Sequence, residues 1–551
     1  MEEGKTPDRS PERGSNYPKK IKGRGLLGSS GIVSAFTMLS RILGLLRDVV
    51  LARVIGAGAL ADVFFVAFKI PNFFRRLFSE GAFSQAFIPV LGEYRERGGQ
   101  SLVRELVSRV FGNLGLILLA VSVSVVLFSP LVTAIFAPRW YLDSPEKFSA
   151  TAAMLRITFP YLFFISLTGF AAGILNTYDR FAVPAFTPLF LNLTLISAAL
   201  IAAPWFEEPT FALAWGVLCA GAIQFVFQLP FLKRIHMLPM PVIDWQHSGV
   251  RKILALMAPA IFGVSVSQVN LLLDTVLATF LPSGSVSWLY YSDRLAQLPL
   301  GVFGVAIATV ILPNLSRYHA LQSSDSYSLT LDWAIKTVLL LAVPSAAALI
   351  LLAHPILTTL FFYGDVMTVR DMQMSAFSLR AYALGLVGFM LIKVLAPGFF
   401  ARQDMTSPVR FGIIAMGANM LMNLLFVVPL HYWANIGHVG LALATSLAAY
   451  VNAALLLLGL RRDGILKKFE AASAFFVRLS GALVFMIVAV YILATFVGAM
   501  DISIWQSFEW WQRLLRLCML CFFGILVYVL ALYSLGFSLR DFRGPEVREF
   551  E

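Results

Sequence analysis

Charge is what this chain has least of. Only 13% of its 551 residues are Asp, Glu, Lys or Arg, and 58% are hydrophobic, whereas a soluble domain carries roughly 25% charged residues. Apolar runs near the length of a bilayer span recur from Gly31 to Gly536, with no second, soluble domain between them. Cysteine is almost absent. Cys219, Cys518 and Cys521 all lie in apolar runs, which excludes a disulfide framework and leaves them to pack as small hydrophobes. The six histidines are scattered, mostly in loops, and the externally placed pair His431 and His438 is a poor metal site. No HExxH, GxSxG or P-loop occurs. No external loop is long enough to hold the carboxylates of a glycosyl-transfer centre, so the chain reads as a transporter rather than an enzyme. The net charge of +12 sits in loops and tails, which argues against nucleic acid as a partner.

What is present is an all-α polytopic membrane protein. Fourteen spans are expected, starting near Gly31, Ala59, Val107, Ala150, Val183, Thr210, Ile253, Ser285, Leu331, Met374, Val409, Val439, Ala474 and Trp511. Helices are the spanning element, because backbone groups in hydrocarbon must be satisfied internally. Lys and Arg cluster in alternate connections, around Arg95, Arg180, Lys233, Arg317, Arg402 and Arg461. The intervening connections, such as GAGA, PWFEEP and LPSGS, are nearly free of them. That alternation places both termini in the cytoplasm. Residues 1–25 read as a disordered basic cytoplasmic tail rather than a signal peptide, and 538–551 as a second tail.

The two halves repeat. Asp48, Leu51, Ala52 and Gly58 correspond to Asp274, Leu277, Ala278 and Gly284 at a spacing of 226 residues. Pro89, Leu91 and Tyr94 correspond to Pro313, Leu315 and Tyr318 at 224. Tyr178-x-Arg180 is matched by Phe400-x-Arg402. An even number of spans separates each pair, so the repeats are parallel. The expected organisation is a six-helix bundle over 26–236, a second over 250–463, a central cavity between them, and two additional helices over 472–537. Two long runs carry internal breakers. Pro71 is expected to kink the run from Ala59 to Leu91, and Pro299, Gly301 and Gly304 to interrupt the run from Ser285 to Tyr318. Broken helices at corresponding places in two halves point to a transport site.

The scarce charges fall inside these spans. A charged side chain at mid-bilayer costs roughly 2.5–3.5 kcal/mol on insertion scales. Arg41, Arg47, Arg75, Arg76, Arg294 and Lys69 stand against Asp48, Asp62, Glu80 and Asp293, leaving two positive charges in the walls of a cavity. Arginine presents a planar fork of donors suited to phosphate oxygens. Arg47, Arg75 and Arg294 are therefore the expected contacts to an anionic substrate. Arg41 and Asp48, seven apart on one helical face, are expected to pair, and Asp48 and Asp293 to hold the arginines apart when the cavity is empty. An excess of arginine disfavours the alternative of a cation-coupled multidrug exporter.

The segment Ser40-Arg-Ile-Leu-Gly-Leu-Leu-Arg47-Asp48 is followed by Ala61-Asp62 and by the run Lys69-Ile-Pro-Asn-Phe-Phe-Arg75-Arg76-Leu-Phe-Ser-Glu80. Together with Ser287-Trp-Leu-Tyr-Tyr-Ser-Asp293-Arg294-Leu it resembles the MurJ (MviN) lipid II flippase family, within the multidrug/oligosaccharidyl-lipid/polysaccharide (MOP) exporter superfamily. The resemblance covers nearly all the chain after its N-terminal tail. It implies a bacterial inner-membrane flippase for undecaprenyl-diphosphate bearing the peptidoglycan disaccharide-pentapeptide, with cell-wall synthesis proteins as partners. A flippase for another polyprenyl-linked glycan is the alternative within the superfamily. The resemblance puts Arg47, Asp48, Arg75 and Arg294 on the family's substrate-binding positions. Arg41, Asp62, Arg76, Glu80 and Asp293 stand as supporting cavity residues, and helices 13 and 14 border a lipid-tail groove. It also implies coupling to the membrane potential or to sodium. The matching sodium ligands are Asp274, Asn419, Asn423 and Thr445, with Asn423 standing where the described site has a second carboxylate.

Overall fold

The computed structural model describes residues 24–77, 83–364, 366–466 and 472–537, and all regular structure among them is helical. Glu80 and both expected terminal tails, apart from Arg24 and Gly25, lie outside the described residues. The long helices are α1 (Arg24–Ile55), α2 (Ala59–Arg75), α3 (Ser84–Leu127), α4 (Pro145–Thr177), α5 (Ala182–Trp205), α6 (Pro209–Arg234) and α7 (Ser248–Thr279). They continue with α8 (Ser285–Ala320), α9 (Ser324–Leu351), α10 (Val369–Phe400), α11 (Thr406–Ala434), α12 (Gly437–Arg462), α13 (Ala472–Phe496) and α14 (Trp510–Ser534). Eleven helices among the described residues are long and apolar enough to cross a membrane. That is fewer than the fourteen spans expected. α1, α2 and α7 stand where the other three belong; α1 carries Arg41, Arg47, Asp48 and Arg53, and α2 has 17 residues.

The helices pack in two lobes. α4 packs on α2, α3 and α6, and α5 on α1 and α6; α10 packs on α8, α9 and α12, and α12 on α11. The lobes meet where α3 touches α7 and α2 touches α8. α13 and α14 pack on each other and on α9, where the Tyr528 hydroxyl donates to the Leu340 carbonyl at 2.8 Å. The core is made of close-packed aromatic and aliphatic side chains such as Phe64, Phe65, Phe159, Tyr291 and Phe361.

Pro71 does not end its helix. A proline cannot donate to the carbonyl four residues back, here Ala67. The Thr158 hydroxyl on α4 takes that carbonyl at 3.1 Å, and the Asn72 amide bonds the next one, Phe68, at 2.8 Å. With its freed acceptor served from a neighbouring helix, α2 runs on to Arg75. In α8 the expected interruption does occur, as a widened π-helical turn over Leu300–Gly304 directly after Pro299. Such turns recur at functional sites. The three cysteines are free thiols exposed on the helix surfaces.

The connection between the lobes is strapped to α3. Val242 N–H donates to the Ser108 carbonyl at 3.3 Å. Asn113 and the Asp244 backbone exchange bonds of 2.8 and 3.1 Å, and Arg109 pairs with Asp244 at 3.3 Å. Gly112 permits this approach, because a Cβ there would lie 2.6 Å from the Val242 nitrogen.

A basic cavity between the lobes

The walls of the cavity come from α1, α4, α5, α6 and α8 together with Arg75 at the end of α2 and the start of α3, around about 900 Å³. Its head is an ion-pair cluster. Asp48 is 1% exposed and Arg47 4%. Asp48 Oδ1 accepts from Arg47 Nε at 3.0 Å and Nη2 at 2.6 Å, and Asp48 Oδ2 accepts from Arg294 Nε at 2.8 Å. Tyr290 donates its hydroxyl to Asp48 Oδ1 at 2.9 Å and accepts from Arg47 Nη2 at 3.1 Å, while its ring stacks on Phe65. Asn192 on α5 accepts from Arg47 Nη1 at 3.1 Å and donates to the Ser40 carbonyl at 3.1 Å. A carboxylate buried this deeply is stable only when every lone pair is served. Here it is served from both lobes.

This geometry corrects two expectations. Asp48 draws Arg47 and Arg294 together instead of holding arginines apart. Arg41 is not its partner, because the adjacent Arg47 bends back onto the carboxylate and fills that face. The Arg41 guanidinium lies instead against Gly301 in the π-helical turn of α8. Arg75 also lines the cavity, with its Nε bonded to Asn72 Oδ1 at 3.2 Å, whereas Arg76 is exposed outside the lining. Asp293 is bonded by Gln297 at 2.5 Å and is not part of the lining. Among the described residues the lining thus holds Arg41, Arg47, Arg75 and Arg294 against Asp48.

Beyond the cluster the lobes are sealed at the Gly56–Gly284 end. Asp62, 2% exposed, accepts from Gly284 N–H at 2.6 Å, Ser287 N–H at 2.9 Å and the Ser287 hydroxyl at 2.6 Å. It serves the orphan donors at the start of α8 from the opposite lobe. Gly284 has φ +98°, and a Cβ there would meet the Ala57 carbonyl at 2.8 Å, so only glycine closes this joint. The Tyr291 hydroxyl donates to the Gly56 carbonyl at 2.9 Å, and Trp288 Nε1 to Asp371 at 2.8 Å. In the other direction the cavity extends past Asn176 and Phe181 toward the turn at Asp179.

The four residues implied for sodium do converge. Asn423 Nδ2 donates to Asp274 Oδ1 at 3.0 Å and to Asn419 Oδ1 at 3.0 Å, and the Thr445 hydroxyl lies 3.2 Å from Asp274 Oδ2. A hard cation needs oxygens turned inward. Here an amide N–H₂ faces the carboxylate, and Asp274 is the one acidic group of the set. As arranged, these residues do not fit a sodium ion. Among the described residues no group of three His, Cys, Asp or Glu side chains could hold a metal.

Tyr290 and Asn192 are cluster members that sequence reasoning did not single out. The signal was there for Asn192, a lone amide within the apolar run PLFLNLTLIS.

A two-lobed helical transporter with an arginine-lined cavity is the class that this fold and site define. The architecture is shared with a solved multidrug resistance MATE family transporter of the MOP superfamily in its inward-facing conformation, at TM-score 0.64 and 15% identity, over 80% of this chain and 99% of that one. The chain belongs to the lipid II flippase MurJ family, whose model matches residues 51–505. It is 48% identical to a probable lipid II flippase MurJ of Vibrio cholerae serotype O1, over 94% of this chain and 98% of that relative. It is 44% identical to the lipid II flippase MurJ of Burkholderia cenocepacia, over 82% and 86% of the two chains. A solved lipid II flippase MurJ in an inward closed conformation superposes at TM-score 0.75 with 27% identity, over 91% and 97% of the chains.

Proposed function

We propose that this chain is a lipid II flippase of the bacterial inner membrane, which moves the undecaprenyl-diphosphate-linked disaccharide-pentapeptide from the inner to the outer leaflet. The observation that carries the reading is the ion-pair cluster Arg47–Asp48–Arg294 at the head of an arginine-lined cavity between two lobes. A diphosphate headgroup does not cross hydrocarbon unaided, and a basic cavity replaces its hydration. The prenyl tail stays in lipid, beside α13 and α14.

Alternating access follows from rocking one lobe against the other. With both termini in the cytoplasm, the Gly56–Gly284 seal is the outer gate and the cavity opens inward. The diphosphate favours a state only by binding it more tightly than the other. Bringing Arg75 onto the anion with Arg47 and Arg294 supplies that difference and frees the outer seal. The membrane potential, worth about 2.3 kcal/mol per charge per 100 mV, is the proposed driving force for release. No step requires sodium. Cell-wall synthesis proteins would receive the product on the outer face.

Depletion of the protein in cells tests the reading. Lipid II should accumulate on the cytoplasmic face while externally accessible lipid II falls; unchanged external lipid II would end the proposal.

A further inference from the structure

Among the described residues, Arg41 is a cavity arginine with no counter-charge. Arg47 and Arg294 share Asp48, and among the described residues Arg41 forms neither an ion pair nor a hydrogen bond. Arg41 is half-buried and lines the cavity. It has crossed from α1 in one lobe to α8 in the other, and it fills the space that a side chain at position 301 would occupy. A Cβ built on Gly301 falls 2.6 Å from the guanidinium carbon, well inside the roughly 3.5 Å at which carbon atoms pack. Any residue but glycine there displaces Arg41. Gly301 sits within the widened turn that follows Pro299.

We infer that Gly301 is a positioning residue, the seat on which Arg41 rests while the cavity is empty. The unpaired guanidinium bridges the lobes at cavity depth and is lifted from this seat by the arriving diphosphate. The inference rests on the flippase reading for the identity of the anion, but not for the seat. Helix propensity alone favours alanine over glycine at 301, so a deleterious Gly301→Ala points to the lost seat and not to a weakened helix.

A double-mutant cycle on the full chain in nanodiscs reads the seat directly. Spin labels are placed at Asp179→Cys and Gln403→Cys, the turns at one end of the two lobes, after Cys219, Cys518 and Cys521 are replaced by alanine. Without ligand, Gly301→Ala and Arg41→Ala should each shift the interlobe distance populations in the same direction by roughly fivefold or more, and the double variant should shift no further. Undecaprenyl diphosphate should move the wild-type populations the same way. A Gly301→Ala distribution equal to wild type overturns the seat, as do single shifts that add in the double variant. If Gly301→Ala does not fold, Arg41→Lys, which leaves α8 intact and removes the planar fork, takes its place and must give the same shift. If the cycle is non-additive but undecaprenyl diphosphate moves nothing, the seat stands and the diphosphate reading falls.

Discussion

Asp48 of α1 accepts the Arg294 Nε–H of α8 at 2.8 Å, across the boundary between the lobes. Removing the shared carboxylate leaves two arginines facing each other. Asp48→Ala should therefore lower stability by about 3–5 kcal/mol, the cost of breaking a buried pair. Arg294→Ala should cost less, because Arg294 is 37% exposed at its side chain and Asp48 keeps Arg47. Thermal unfolding of the purified protein ranks the two; the opposite order would refute Asp48 as the organiser.

Arg47→Ala, Arg75→Ala and Arg294→Ala should each abolish growth support while membrane levels stay normal. Complementation with immunoblotting checks this, and three functional variants would end the cavity reading.

Asp62 holds the start of α8 through three hydrogen bonds. Bonds to a charged group are worth about 1.5–3 kcal/mol each. Asp62→Ala should open the seal, so that a cysteine at Ser285 becomes reactive to an impermeant maleimide from outside. Unchanged protection would show that the Tyr291–Gly56 bond closes this end without it.

Sodium should not matter to the wild-type chain. Replacing sodium by choline is expected to leave its melting temperature unchanged. Asn423→Asp, which adds a second carboxylate beside Asp274, should gain sodium-dependent stabilisation. A wild-type shift abolished by Asp274→Asn would show that the amide ring reopens for the ion.

Orientation is tested by labelling. In a cysteine-free background, Phe206→Cys should react with an impermeant reagent from outside and Gln403→Cys should not; the reverse pattern inverts the proposed topology.

Much of this was legible in the chain. Apolar runs marked the helices, and lone charges within them marked the cavity, because hydrocarbon penalises both unpaired backbone and unpaired charge. Partner choice was less legible. Helical spacing put Arg41 with Asp48, but a long guanidinium reaches its neighbour in sequence, and the carboxylate's second oxygen was claimed by a helix more than two hundred residues away. The continuity of α2 past Pro71 was not legible for a related reason. Its freed carbonyl was rescued by Thr158, a tertiary contact that no local pattern records.

The strap between the lobes has a mechanical consequence. Met240 through Asp244 are clamped to α3, and just beyond them Ser248 meets the Tyr94 hydroxyl at 3.2 Å while Lys252 pairs with Glu93. A short leash fastened on both sides of one point cannot lengthen. It turns any relative displacement of the lobes into a swing about that edge, with the longest travel on the side farthest from it. The Gly56–Gly284 joint, just past the opposite end of α7 from the strap, lies on that side, where a small rotation becomes a large change in contact.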